Sequence, residues 1–160
     1  MVKKIVIIGP AFPLRGGIAN FNNALAQAFY NRGDNVIIYS FSLQYPGFLF
    51  PGTSQFEQGK KPENLNVKTI INSVNPFNWI RIVKKINKEN PDYVIIRYWI
   101  PFLAPCLGTI AYFLNKKIKI LAIADNIYPH EKRIGDSFLT KYFLNSCNAF
   151  ITLSSSVLND

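Results

Sequence analysis

A glycine pair at the start of a helical pattern is the first feature of this chain that could do chemistry. Gly16 and Gly17 close a Gly/Pro-rich loop, GPAFPLRGG, that begins at Gly9. Residues without a Cβ atom let a ligand approach the backbone, and the free N–H groups at a helix N-terminus favour a phosphate or another anion. A tight turn without a ligand is the alternative, and the spacing alone does not separate the two.

The order of these glycines excludes two common nucleotide-binding fingerprints. Gly9, Gly16 and Gly17 do not form the G-x-G-x-x-G of dinucleotide-binding folds. The helix opens Gly-Gly-Ile-Ala rather than Gly-Lys-Ser/Thr, so the sequence argues against P-loop ATPase or GTPase chemistry.

Two polar clusters further along the chain each follow a candidate strand. RYWIPF begins with Arg97, which could bind a phosphate or carboxylate or instead pair with a neighbouring acid in a structural bridge. ADNIYPHEKRIGD contains Asp125, Glu131 and the single histidine, His130. These three groups could supply a base or orient a hydroxyl, although a histidine beside a proline more often hydrogen-bonds within its own loop.

A long irregular segment, residues 42–62, contains three prolines, three glycines and several aromatic residues. Segments of this length without regular structure are often functional. Tyr45, Phe48 and Phe50 could form an apolar platform for an acceptor molecule. The alternative is a loop that packs on itself and covers the edge of the domain.

An alternation of strands and helices must position these clusters. The opening predicts a strand at Lys4–Ile8, a helix after Gly17, and a second strand at 36–41 that follows Gly33, a natural helix stop. In the first helix the apolar residues Ile18, Phe21, Leu25, Ala28 and Phe29 recur at helical spacing. The remaining strands are predicted at 66–71, 93–97, 118–124 and 149–153, and the remaining helices at 75–90, 102–114 and 137–145.

This alternation predicts an α/β fold: a doubly wound, mostly parallel sheet with helices on both faces. Ligands of such sheets bind outside the carboxyl ends of the strands, where the polar clusters lie. The length of 160 residues fits one domain, and a composition of 49% hydrophobic and 17% charged residues is typical of a globular protein.

The net charge of +9 raises nucleic acid, anionic lipid and phosphorylated substrates as partners. The excess is spread over both halves of the chain, and no nucleic-acid-binding signature is present, so we expect no nucleic-acid partner. The basic helix from Trp79 to Lys88 could contact an anionic membrane surface; a solvated basic face over an apolar side packed on the sheet is the alternative.

Other features bear on location and cofactors. Cys106 and Cys147 lie outside any metal-binding or C-x-x-C pattern, which suits a reducing cytoplasm. There is no D-x-D carboxylate pair, so we expect no metal and no cofactor. The N-terminus has no signal-peptide pattern, and the apolar stretch 99–114 contains two prolines and is too short to cross a bilayer. Serines 154–156 favour a helix start close to the chain end, which predicts a fragment cut near a domain boundary.

Four segments, in this order along the chain, resemble segments of a known protein family. GPAFPLRGGIANF, SFSLQYPGFLFPG, RYWIPF, and DNIYPHEKR with the later FLNSCNAFITLSSSV resemble the N-terminal domain of group 1 glycosyltransferases, which form glycosyltransferase family 4. The resemblance covers the whole chain. It implies one half of a GT-B fold, in which this N-terminal Rossmann-like domain (residues 1–160) mainly binds the acceptor. A C-terminal domain that holds the nucleotide-sugar donor would be absent from this chain.

The resemblance also implies roles for particular residues. Gly16 and Gly17 match the loop that faces the donor phosphates, and Asp125 occupies a position where the family often has a histidine near the transferred sugar. His130 matches the second histidine of the family pattern, so Asp125, His130 and Glu131 are the catalytic candidates. The acceptor-binding candidates are Arg15, Tyr45, Phe48, Arg97 and Trp99.

The expected function is therefore the acceptor-binding half of a retaining, hexosyltransferase-type glycosyltransferase that moves sugar from a nucleotide-sugar co-substrate to a hydroxyl. The expected setting is cell-surface polysaccharide or glycolipid synthesis in the cytoplasm or at the inner face of the membrane. Its acceptor would be a sugar or a lipid-linked sugar, and the fragment alone would be inactive. A non-catalytic, Rossmann-like nucleotide- or anion-binding module is the alternative.

Overall fold

The computed structural model describes residues 1–47, 56, 64–126, 134–155 and 157. Within them the chain alternates strands and helices as the sequence predicts. The strands are β1 (Lys4–Ile8), β2 (Asn35–Leu43), β3 (Asn66–Asn72), β4 (Tyr93–Tyr98), β5 (Lys119–Ala124) and β6 (Ala149–Thr152). The α-helices are α1 (Gly17–Asn31), α2 (Pro76–Glu89), α3 (Ala104–Phe113) and α4 (Asp136–Asn145), and a 3₁₀ turn spans Pro101–Leu103.

All neighbouring strands of the six-stranded sheet are parallel, in the order β3-β2-β1-β4-β5-β6. β1 lies in the centre and pairs with β2 on one side and β4 on the other. The strand order therefore reverses between β1 and β4, and this reversal makes a crevice at the carboxyl edge of such sheets. The predicted doubly wound, Rossmann-like fold is confirmed.

Two apolar cores cover the two faces of the sheet. Residues Ile5 and Ile7 of β1 belong to one core with Ala26 of α1. Val6 and Ile8, which alternate with them, belong to the other core, together with residues of α2, α3 and α4. A strand that is apolar on both faces is typical of the centre of a parallel sheet, which explains the uninterrupted IVII run.

Several predicted boundaries move by a few residues, each for a local reason. α2 lies inside its predicted range because Asn75 caps it, accepting hydrogen bonds from the N–H groups of Phe77 and Asn78, and Asn90 ends it in the left-handed conformation. The third helix was predicted to start at Phe102, but the chain first makes the 3₁₀ turn. β2 extends to Leu43, and β6 ends at Thr152 rather than at Leu153.

The predicted apolar face of α1 is wrong in part. The residues that α1 buries are Ala19, Asn22 and Ala26, whereas Phe21 and Ala28 are exposed. Asn22 is polar but lies inside because its side-chain amide donates to the carbonyl of Pro10 at 2.8 Å. A buried amide with such a partner can occupy a helix position that a hydrophobic pattern assigns to the surface.

Candidate functional site

The loop between β1 and α1 is held in place at the carboxyl edge of the sheet. The N–H of Ala11 donates to Oγ of Ser40 on β2 at 3.1 Å, and the N–H of Leu14 donates back to the carbonyl of Ala11 at 2.9 Å. Leu14 also forms an antiparallel bridge with Phe56. The loop therefore presents the helix N-terminus from a fixed position.

The N-terminus of α1 is accessible and uncapped. Gly16 has a φ of 123°, a conformation that favours glycine, and no side chain of the described residues hydrogen-bonds to the helix start. A Cβ atom added at Gly17 would have no described neighbour within 4 Å. The first turn contains no acidic residue. Its N–H groups and the positive end of the helix dipole are therefore available to an anion.

Arg97, at the end of β4, forms an ion pair with Asp125, which follows β5. Nε and Nη2 of the guanidinium donate to the two carboxylate oxygens. Arg97 is 3% exposed and the Asp125 side chain 21% exposed, so the pair is buried except for part of the carboxylate. The ring of Phe21 lies 4.2 Å from the guanidinium carbon and covers it. The sequence left two roles open for Arg97, ligand binding or a structural ion pair with a neighbouring acid. The structure contains the ion pair.

Gly9 allows α1 and β4 to approach each other beside this ion pair. A Cβ atom at Gly9 would lie 2.6 Å from Nδ2 of Asn22 and 2.9 Å from Cβ of Arg97, which is too close for either. Two polar atoms here have no hydrogen-bond partner among the described residues: Nη1 of Arg97 and Oδ1 of Asn22. Buried polar atoms of this kind usually have a hydrogen-bond partner, so these two atoms are exceptions among the described residues.

A cluster of aromatic side chains occupies the same edge of the sheet, beyond β2 and β4. The indole N–H of Trp99 donates to the hydroxyl of Tyr45 at 2.6 Å. Trp99 packs edge-on against Phe41, and Tyr45 lies 6.0 Å from the ring of Phe102. Burial raises the pKa of Tyr45, partly offset by the hydrogen bond from Trp99. Partly buried rings with a polar tip can contact the apolar faces of a sugar ring.

The structure brings together some of the predicted site residues. Tyr45 contacts Trp99, and Arg97 contacts Asp125, while Arg15 is exposed in the glycine loop. His130, Glu131, Phe48 and Phe50 lie outside the described residues. Sequence reasoning missed three residues of the site, Gly9, Phe21 and Asn22. For Asn22, the signal available in the sequence was a polar residue at the helical spacing of Ala19 and Ala26.

Other chemistries find no support in the described parts of the chain. The thiols of Cys106 and Cys147 are free, and burial raises the pKa of each to about 12, so neither is a ready nucleophile. No group of three His, Cys, Asp or Glu side chains that could hold a metal ion occurs among the described residues. Nor does any helix described here have the length and apolar character needed to cross a bilayer.

Comparison with protein-family models gives a match to Glycosyltransferase Family 4 over residues 15–160. The chain belongs to glycosyltransferase family 4. The match begins at Arg15, so it includes the helix N-terminus, the ion pair and the aromatic cluster, and leaves out only β1 and most of the glycine loop.

Solved structures with the fold of this family 4 domain include two of an α-glucosyltransferase. One is in complex with UDP and a 13-mer DNA containing a HMU base; it is 11% identical, with a TM-score of 0.54 over 94% of this chain and 38% of that one. The other, with UDP and a 13-mer DNA containing a central A:G mismatch, is 12% identical, with a TM-score of 0.53 over 98% of this chain and 39% of that one. The domain thus spans under two fifths of these GT-B enzymes. No curated protein matches it in a sequence search.

Proposed function

We propose that this glycosyltransferase module is the acceptor-binding half of a retaining enzyme that transfers a hexose from a nucleotide sugar to a hydroxyl. The observation that carries the proposal is the accessible N-terminus of α1, taken together with the family match. An uncapped helix start with no acidic residue suits a diphosphate. The bound UDP of the two α-glucosyltransferase structures supports a nucleotide-sugar donor.

In the proposed mechanism the helix start acts on the leaving group. As the bond between the sugar and the diphosphate breaks, negative charge grows on the diphosphate. The N–H groups after Gly16 and the helix dipole stabilise this charge, and they need no rearrangement because the loop is already held by Ser40. We propose no metal ion and no other cofactor for this half of the site.

The proposed acceptor site lies beside the helix start. Tyr45 and Trp99 provide ring faces for a sugar, and the carboxylate of Asp125 can accept a hydrogen bond from a hydroxyl. Arg15 and Phe48 are the further acceptor-binding candidates. His130 and Glu131 are proposed to act in the same loop as Asp125. The donor's nucleoside part would bind to a second, C-terminal domain of the longer enzyme.

We place this activity in cell-surface polysaccharide or glycolipid synthesis, in the cytoplasm or at the inner face of the membrane. The basic outer face of α2 supports an anionic surface as a partner, and a sugar or a lipid-linked sugar would be the acceptor. Nucleic acid is not proposed as a partner, because the basic residues do not form a recognition element of a known type.

The test compares the 160-residue chain with the longer enzyme that would contain it. We expect the chain to unfold cooperatively, since its sheet has two complete cores, but to transfer no sugar. The longer enzyme should transfer sugar from a nucleotide-sugar donor. Transfer by the purified 160-residue chain, or no transfer by the longer protein with any nucleotide sugar, would contradict the proposal.

The alternative, a non-catalytic nucleotide- or anion-binding module, makes a different prediction in calorimetry. If the donor's nucleoside part binds to a second domain, the 160-residue chain should bind UDP only weakly. Tight binding of a simple mononucleotide by this chain alone would favour the alternative.

A further inference from the structure

Phe21, Arg97 and Asp125 form a cluster at the carboxyl edge of the sheet, which we call the crevice trio. The ring of Phe21 lies 4.2 Å from the guanidinium carbon of Arg97, and the two carboxylate oxygens of Asp125 accept from its Nε and Nη2. Arg97 is 3% exposed, whereas Phe21 is 38% exposed and the Asp125 side chain 21% exposed. A molecule that approaches from solvent therefore meets the aromatic ring and the carboxylate, but not the guanidinium that joins them.

The same three residue types meet at the other end of α1 with the opposite exposure. There the guanidinium carbon of Arg32 lies 5.2 Å from the centre of the Phe29 ring, and the guanidinium pairs with Asp34. The Arg32 side chain is 63% exposed and the Asp34 side chain 5% exposed, and Asp34 also accepts from the backbone N–H of Lys3 at 3.0 Å. This second trio buries its carboxylate and presents a solvated cation, as a purely structural ion pair can do. The crevice trio instead leaves its carboxylate and ring open to a ligand.

The exposed groups of the crevice trio select the kind of ligand. A carboxylate has about four lone-pair sites, of which the two hydrogen bonds from Arg97 use two, so Asp125 can still accept from hydroxyl groups. An aromatic ring packs well against apolar C–H groups. The ion pair carries no net charge, so a separate cation gains little from it, and the exposed carboxylate repels an anion. A sugar without a charged substituent offers both hydroxyl donors and an apolar C–H face.

We propose that Phe21 and Asp125 form a subsite for an uncharged sugar, in which the ring packs on the C–H face and the carboxylate accepts from the hydroxyls. The subsite lies at the carboxyl ends of β4 and β5, beside α1 and next to the reversal of the strand order. The choice of a sugar rests on the proposed glycosyltransferase function, whereas the placement of the ring beside the carboxylate does not. Phe21 and Asp125 are then specificity residues.

The experiment uses ¹H–¹⁵N spectra of the 160-residue chain, in which the backbone amides of Phe21 and Asp125 and the Nε–H of Arg97 report on the subsite. The neutral probes are the methyl α-glycosides of glucose, galactose and mannose, with glucuronate as the anionic and choline as the cationic counterpart. We expect at least one neutral glycoside to shift these signals in a saturable manner and to show nuclear Overhauser effects between its C–H protons and the Phe21 ring. Glucuronate and choline should not shift them.

Variants of two phenylalanines assign the binding to the ring. Phe21→Leu should weaken the binding of the neutral glycoside about fivefold, since the sugar loses its contact with an aromatic face. Phe21→Tyr keeps the ring and should bind as the natural chain does. Phe29→Leu is the matched control, because it removes a ring beside an arginine at the other end of α1, and it should leave the affinity unchanged. Spectra of each variant without a probe verify its fold.

Three results would overturn the proposal. If no neutral glycoside shifts the signals, the trio is a structural cluster, or a cation site where choline shifts them. Equal affinities of Phe21→Leu and the natural chain would exclude the ring from the site, and glucuronate binding as tight as that of a neutral glycoside would exclude the carboxylate. Each result leaves the proposed function standing if the longer enzyme transfers sugar, whereas sugar binding by the chain without transfer by the longer enzyme would reject the proposed function and keep the subsite.

Discussion

Two glycines of one loop have different physical roles. At Gly9 any side chain would collide with Asn22 and Arg97, so glycine is needed for packing. At Gly17 a side chain would meet nothing in the described structure, so packing does not explain why glycine is there. The difference can be measured, because a substitution at Gly9 should affect folding whereas one at Gly17 should affect only binding.

Gly17→Val in the longer enzyme is expected to reduce sugar transfer about tenfold or more, since the added side chain blocks the approach of a phosphate to the helix start. The free energy of unfolding of the 160-residue chain should change by less than about 1 kcal/mol, because the space is open. Steady-state kinetics and urea unfolding measure the two effects.

Gly33→Val is the matched control at the opposite end of α1. Gly33 has a φ of 89°, so a β-branched residue there is strained and should lower stability while leaving the kinetics of the remaining folded enzyme unchanged. An unaltered transfer rate for Gly17→Val would reject the ligand-facing role of the loop, and a large loss of stability would favour the simple turn.

Asp125→Ala is expected to reduce both turnover and stability. It removes the only described ion-pair partner of a buried guanidinium, which should lower the free energy of unfolding by about 3 kcal/mol. His130→Ala should reduce turnover less, because Asp125 directly follows β5 whereas His130 lies beyond Pro129. Kinetics and thermal melts on both variants test this order.

A double variant separates the two effects of Asp125. Arg97→Met combined with Asp125→Leu replaces the ion pair by apolar side chains, so stability should return while turnover stays low. Turnover that recovers together with stability would show that Asp125 serves only as the counter-ion of Arg97. A silent Asp125→Ala beside a damaging His130→Ala would reverse the assignment.

At the scale of elements, the last residue of α2 ties two strands together. Glu89 accepts from Nζ of Lys4 on β1 at 3.0 Å and from Nζ of Lys68 on β3 at 3.1 Å. These hydrogen bonds hold the pKa of Glu89 below its usual value of 4.5. A lowered folded-state pKa contributes stability that is complete above the unfolded value and is lost as the pH falls through the folded one.

We therefore expect stability to fall as the pH drops below about 4.5, and Glu89→Gln to make this fall shallower. Urea unfolding midpoints at pH 7 and at a series of acidic pH values measure this fall in stability for both chains. Lys141, on the exposed side of α4, has no ion pair with the described acids, so Lys141→Gln is a control that should leave the pH dependence unchanged. Equal pH profiles for Glu89→Gln and the natural chain would contradict the assignment.

The outer face of α2 is a basic stripe. Arg81, Lys84 and Lys88 are exposed along one side of the helix, and Phe77, which is 81% exposed, lies at its start. The opposite side packs in the core, as the sequence predicts. We expect the domain to bind phosphatidylglycerol vesicles at low salt and to release them at high salt, since each basic residue near an anionic surface contributes about 1 kcal/mol.

Charge reversal within the stripe tests this expectation by co-sedimentation. The double variant Arg81→Glu and Lys84→Glu should abolish binding, whereas Lys141→Glu on α4 should have little effect. No binding of the natural chain at low salt would leave a solvated basic face as the explanation of the stripe.

Some elements could be predicted from the sequence because local signals decide them. β1 is an uninterrupted apolar run, and Asn75, Pro76 and Asn90 mark the ends of α2. The buried face of α1 could not be predicted in this way, since the ring of Phe21 packs on the guanidinium of Arg97 from β4 instead of in the apolar core. The position of the third helix depended on how Pro105 fits in its first turn.

At the scale of the whole molecule, the strand order explains what was missed in the site. The sequence indicates that Arg97 and Asp125 each follow a strand, so their meeting at one edge could be expected from a parallel sheet. That Asn22 lies beside Arg97 could not be expected, because it depends on β4 pairing with β1 across two intervening strands and two helices. Long-range pairing of this kind leaves no local pattern in the sequence.

The same pairing sets the order in which a growing polypeptide can acquire the site. The ribosome releases Gly9, Gly17 and Asn22 early, but the second neighbour of β1 exists only once Tyr98 has emerged. Until then one edge of β1 is an unpaired template, and closing it requires a long chain loop, which slows folding. Nascent chains that end between β3 and β4 therefore have every residue of the glycine loop but not yet the crevice between β1 and β4.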